Sequence, residues 1–149
     1  MSPAKPSRTP AKLASGKSRL ARTAVAVRCT TGMTSSPIHS VSLAEALAQG
    51  PPPHGNLAVP IFAHGSLAVE LYAPQGHDPQ KPHTRDEIYF VARGQGKFFD
   101  GAQRHEIGPG SFLFVPAGRP HRFESFSADF AVWVAFYGPE GGECDADKR

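Results

Sequence analysis

The chain has 149 residues, enough for one compact domain with extensions and too few for two of ordinary size. A hydrophobic share of 40% with ten Phe supplies a core, and no apolar run approaches the ~18 residues of a membrane-spanning helix. The net charge of +3 suggests a nucleic-acid partner until the charges are located. Residues 1–32 carry seven of the 16 Lys and Arg and no acid, so nine bases face all 13 acids in the remainder, a formal −4 that argues against a duplex-binding face.

Residues 1–32, rich in Pro, Ser, Ala and bases without apolar period, read as a disordered basic leader. A transit-like segment, a surface-binding arm and an extension upstream of a start at Met33 all account for it, and the last is the reading taken. Cys29 and Cys144 lie in opposite tails and form neither a disulfide framework nor a zinc spacing. With no secretory apolar core in the leader, the expected compartment is cytoplasmic.

Residues 33–56 read as a short helix and a linker. Ser42 with Glu45 makes a capping box and Gly50 a stop, which predicts a helix over 43–49, and Pro51 to Gly55 forms the linker. From 57 to 137 the apolar residues recur in short runs broken by Gly, Pro or Asp-Gly. Strands are predicted at Ala58–Phe62, Leu67–Tyr72, Ile88–Ala92, Gly96–Phe99, Arg104–Ile107, Ser111–Val115, His121–Glu124 and Asp129–Tyr137. Turns are predicted at His64-Gly65-Ser66 and Asp100-Gly101, with corners at Gly108–Gly110 and Pro116–Gly118. Eight short strands without intervening helices make an all-β closed antiparallel barrel or jelly roll. Residues 138–149 read as a polar tail that frays.

His83 and Glu87 flank a short connection into one strand, and His121 begins a later one. In a small barrel, side chains at neighbouring strand ends share a cavity, so two imidazoles and a carboxylate there would form a facial triad for a divalent metal. The alternative is a surface turn with a solvated Arg85–Asp86 pair. Tyr89, Phe112, Phe114, Phe123, Trp133, Phe136 and Tyr137 fall at alternating positions and are expected to pack the core, with Tyr89 and Phe123 nearest the pocket. The apolar run Phe130 to Phe136 is long for a free edge, so it is expected inside a sheet or under a partner subunit.

The stretch Gly76 to Gly94 resembles the first signature of the cupin superfamily, with His83 at the second His position, Glu87 at the Glu and six residues before Gly94. The second signature is matched by Gly110, Pro116, Gly118 and His121. The resemblance is to small single-domain bacterial cupins of the cupin 2 type. It implies a double-stranded β-helix with Fe, Mn, Ni or Zn on His83, Glu87 and His121, a small-molecule ligand, dioxygenase or isomerase chemistry, and a homodimer. A non-catalytic ligand- or metal-sensing module is the alternative. The sequence departs from the pattern at Lys81, which takes the place of the first His, at Gly76, which is one place late, and at Ser125, where Asn is common. Lys81, Gln80 and His77 are therefore further candidate site residues, with Lys81 as an anion anchor.

Overall fold

The structure is a computed structural model that describes residues 38–144. The basic leader, Met33, Cys29 and residues 145–149 lie outside the described residues.

Helix α1 (Leu43–Ala48) begins at the expected capping box. The Ser42 hydroxyl accepts from the Glu45 amide at 3.2 Å, and the Glu45 carboxylate accepts from the Ser42 amide at 2.7 Å. Eight strands follow: β1 (Val59–His64), β2 (Leu67–Tyr72), β3 (Asp86–Arg93), β4 (Gly96–Phe99), β5 (Arg104–Ile107), β6 (Phe112–Val115), β7 (Arg122–Glu124) and β8 (Ala131–Tyr137). They form a five-stranded sheet in the order β1-β2-β8-β3-β6 and a three-stranded sheet in the order β5-β4-β7, every pair antiparallel. The fold is therefore all-β, with two antiparallel sheets and one short helix.

Alternation sorts each strand of the large sheet into an inner and an outer face. Tyr89, Val91, Val115, Val132 and Val134 point inward and meet Phe98 and Phe123 of the small sheet, forming the main core. On the outer face, Ala46 of α1 packs on Leu71 and Ala131 beside Trp133. The turn from β3 to β4 depends on Gly94, whose φ is +78° and whose position leaves no room for a side chain. A Cβ there would lie 2.7 Å from the Phe130 Cα.

Four expectations are corrected. First, β3 starts at Asp86 rather than Ile88, because Asp86 and Glu87 continue the ladder opposite Tyr137 and Phe136 although neither is apolar. Second, Phe112 and Phe114 do not pack the core: they lie on the outer face, 56% and 48% exposed. Third, Asp86 is not paired with Arg85. It is buried, accepting from the amides of Ala117 at 2.9 Å and Glu143 at 2.8 Å, while Arg85 donates to the Ser66 carbonyl at 2.6 Å. Fourth, the polar tail does not fray at Gly138. Its amides reach back to Asp86 and, from Gly141, to the Thr84 carbonyl at 2.6 Å. Strand β8 lies between β2 and β3, so the long apolar run is interior to a sheet.

Candidate metal centre

Three elements bring the centre together. His83 lies on the connection ahead of β3, Glu87 is the second residue of β3 and faces inward, and His121 ends the Pro116–Pro120 corner at the entry to β7. One ligand atom from each lies within 4.8 Å of the other two. His121 Nε2 is 3.3 Å from Glu87 Oε2, and His83 Nε2 touches the same oxygen. Glu87 and His121 are buried, and the two imidazole rings meet edge to face at 4.9 Å.

Backbone carbonyls decide which imidazole nitrogens are free. His83 Nδ1 lies 2.5 Å from the Arg85 carbonyl oxygen, and His121 Nδ1 lies 2.9 Å from that of Arg119. A carbonyl only accepts, so each neutral ring carries its hydrogen on Nδ1 and presents Nε2 as a lone pair. Both lone pairs aim at Glu87, whose carboxylate also only accepts. Burial would push the Glu87 carboxyl up, but its contacts with His121, His83 and Tyr89 outweigh that and hold it below the usual range. Burial likewise pushes the His83 imidazole down, and the adjoining Glu87 carboxylate lifts it further, leaving it above its ordinary value.

Tyr89, the next inward residue on β3, holds the one hydroxyl hydrogen among these groups. Its oxygen lies 2.9 Å from His121 Nε2 and 2.9 Å from Gln80 Oε1. Gln80 is oriented by Asp78, which accepts from Gln80 Nε2 at 2.7 Å, so that Oε1 faces the phenol. A hydroxyl donates once. If that hydrogen goes to Gln80, the lone pairs of His83, His121 and Glu87 face one another with nothing between them. Indeed, His83 Nε2 and Glu87 Oε2 are buried without a hydrogen-bond partner. Either a proton on His83 or a cation bound to all three relieves this excess of acceptors. The donor set of two nitrogens and one carboxylate oxygen suits first-row divalent ions.

A cavity of about 310 Å³ opens in front of the centre. It is lined by His83, Glu87, Tyr89, Gln80 and Lys81, with Glu70 on the inner face of β2 and Leu57, Ala58, Val134 and Phe136 as apolar wall. Glu70 is held toward its neutral form, first by burial and then by the Glu87 charge. The structure thus gathers His83, Glu87 and His121 in one cluster and places Tyr89, Gln80 and Lys81 beside it. His77 is exposed and does not line the cavity. Phe123 is buried behind the wall, its ring 5.1 Å from that of Tyr89. Lys81 forms no ion pair with Glu87.

Asp78 and Glu70 were not candidates from the sequence. Asp78 sits in a Gly-His-Asp-Pro turn, where an Asp ordinarily serves its own backbone. Glu70 interrupts the apolar run of β2 at an inward position, the one signal that marks it.

This chain carries a cupin superfamily domain: residues 68–137 match the family described as Cupin domain (Cupin_2). An uncharacterized protein of Streptomyces coelicolor is 40% identical over 77 residues, spanning 50% of this chain and 73% of that one. The dimethylsulfoniopropionate lyase DddQ of Ruegeria pomeroyi is 35% identical over 80 residues, covering 52% of this chain but 40% of the lyase. The chain therefore spans well under two thirds of that enzyme's length. Among solved structures, a cupin-2 domain protein of Shewanella frigidimarina matches with a TM-score of 0.53 at 14% identity, over 66% of this chain and 94% of that one, which is a likeness of fold.

Proposed function

We propose that the chain is a divalent-metal cupin that transforms a small organic molecule in the cavity beside His83, Glu87 and His121. The observation that supports this reading is the surplus of lone pairs: three buried acceptors converge, with both imidazole tautomers fixed from behind by backbone carbonyls. When bound, an ion such as Fe, Mn, Ni or Zn would supply Lewis-acid character and open positions for a ligand oxygen.

The chain's own residues supply the rest. The apolar wall of Ala58, Val134 and Phe136 excludes water. Tyr89, held beside His121 and Gln80, is placed to hold or pass a proton at Oη. Burial and the Glu87 charge keep this phenol far above its ordinary range, so it is neutral without a cation nearby. The relation to a lyase supports elimination as the chemistry to test first. In an elimination, one carbon gives up a proton to a base. The electron pair it leaves forms the double bond as the leaving group departs from the adjacent carbon.

Elemental mass spectrometry on untagged protein, beside a His83→Ala/His121→Ala variant of verified fold, tests the centre. Near-stoichiometric metal in the wild type and none in the variant is the expected result. Wild-type protein that takes up none of Fe, Mn, Ni or Zn overturns it and leaves a ligand-binding module. Turnover of dimethylsulfoniopropionate, followed by proton NMR on metal-loaded protein, then tests the elimination reading.

We also propose a homodimer, on a surface other than β8. Between the charged ends of β3, Asp86 and Arg93, the outward residues Ile88, Phe90 and Ala92 adjoin Phe112 and Phe114 of β6 in an uncharged patch, and α1 packs on the other half of that face. Phe90 is 49% exposed and its ring lies 5.3 Å from that of Phe112. Three half-exposed rings leave roughly 300 Å² of apolar surface per copy. Small stable interfaces bury about 600 Å² per partner, somewhat over half of it apolar, which is the same amount. Light scattering should give a dimer for the wild type and a monomer for Phe112→Ser/Phe114→Ser. A wild-type monomer at high concentration refutes the proposal.

A further inference from the structure

The cavity holds one basic side chain that the metal centre does not use. Among the described residues, Lys81 is the one Lys or Arg that lines it, and its ammonium forms no ion pair although Glu70 and Glu87 line the same space. Lys81 also stands two residues ahead of His83, so the connection that delivers the imidazole brings Lys81 to the lining of the same cavity. An ammonium offers donors and no lone pair, so it adds nothing to a metal's ligand set. It can only repel a cation or hold an anion.

The charges in the cavity favour an anion. With a divalent ion on the centre, the ion contributes two positive charges, Glu87 one negative and Lys81 one positive. The sum is positive whether Glu70 is ionised or not. The anion is small, because about 310 Å³ is at the low end of small-molecule sites. It carries an aliphatic body, because Leu57, Ala58, Val134 and Phe136 form the wall. It is a carboxylate rather than a phosphate. Phosphate sites bring several donors together, usually an Arg fork or the backbone amides of a helix N-terminus, and here there is a single point charge.

We infer that Lys81 anchors the carboxylate of a short-chain organic acid whose remaining atoms extend along the apolar wall toward His83 and Glu87. The inference rests on the metal-centre reading both for the positive sum of charges and for the position of the ligand's far end, while the place of Lys81 in the lining does not depend on it. It makes Lys81 a specificity residue: the position that departs from the family pattern would have exchanged a metal ligand for a substrate anchor.

The test is ligand-observed NMR titration of the zinc-loaded full chain with butyrate and its uncharged counterpart butyramide, in wild type, Lys81→Gln and Lys81→Arg. Lys81 is exposed, so both variants keep the fold. Wild type is expected to prefer butyrate. Lys81→Gln should weaken butyrate roughly tenfold, as for loss of one charge-assisted bond, and leave butyramide unchanged. Lys81→Arg should retain the preference, and bound zinc should be equal in all three. Equal affinity for butyrate in wild type and Lys81→Gln, with zinc intact, overturns the inference. If wild-type protein retains no zinc, the metal reading fails separately, and the same titration on the metal-free chain decides the anchor. Butyrate binding that depends on Lys81 supports it there, and its absence overturns it.

Discussion

Asp78 is the residue whose replacement should reveal most about how the cavity is held. Four donors converge on its carboxylate. The Tyr72 hydroxyl at 2.5 Å and the Gln80 amide at 3.0 Å meet Oδ1, while Gln80 Nε2 and the Phe123 amide, each at 2.7 Å, meet Oδ2. Asp78→Asn preserves the shape and replaces one acceptor with a donor. With the NH2 in the Oδ2 position, Gln80 Nε2 and the Phe123 amide both lose their acceptor; in the Oδ1 position only the Gln80 amide does, because the Tyr72 hydroxyl can turn and accept. At least one bond to a charged group is therefore lost, worth about 1.5–3 kcal/mol. For a domain of this size that corresponds to roughly 5–15 °C in melting temperature. Urea unfolding of metal-free protein in chelator, with both midpoint and slope fitted, measures it. A loss below about 1 kcal/mol at unchanged slope would show that water replaces the lost acceptor and that the network does not hold the wall.

The metal-free chain should be most stable in a mid-pH window. Glu87 titrates below its ordinary value of 4.5, so its contribution is present above the unfolded carboxylate range and is lost as pH falls through the lowered folded value. His83 titrates above 6.5, so its contribution is present below the ordinary imidazole range and is lost as pH rises through the raised folded value. Thermal melts in chelator from about pH 3 to 9 should therefore decline on both sides, and added metal should remove the alkaline decline; a flat profile contradicts the pairing. Ser125 holds a φ of 48°, in the left-handed region, so Ser125→Gly should add about 0.5–1 kcal/mol, read from the urea midpoint. Gly94→Ala should cost roughly 3 kcal/mol or leave the chain unfolded, because the new methyl would meet the backbone of Phe130, and unchanged stability would mean that the turn can shift.

Much of this architecture is legible in the sequence, and the misses have a common cause. Strand positions follow where apolar alternation and turn residues agree, as at Leu67–Tyr72 and Gly96–Phe99, which match the structure residue for residue. Alternation fails where a strand buries polar groups for a purpose, and so the first two residues of β3, Asp86 and Glu87, escape an apolar pattern. It also cannot tell the two faces of a sheet apart when both are apolar. Phe112 and Phe114 alternate as core residues do, yet the inward residues of β6 are Leu113 and Val115. His83, Glu87 and His121 were identifiable because their spacing repeats a family pattern. The tautomer-fixing carbonyls of Arg85 and Arg119 were not, because a backbone oxygen leaves no mark on the sequence.

The fastening of Gly138–Glu143 has a practical consequence for anyone handling the protein. Asp86 is the residue before Glu87, and its carboxylate joins the corner that leads to His121, through Ala117, to the Glu143 amide. A Cβ on Gly142 would come within 2.6 Å of Asp86 Oδ1, so this passage admits little variation. Affinity handles and fluorescent fusions are accordingly better attached ahead of α1 than directly after Glu143, where any pull on the chain is transmitted in two hydrogen bonds to both halves of the centre.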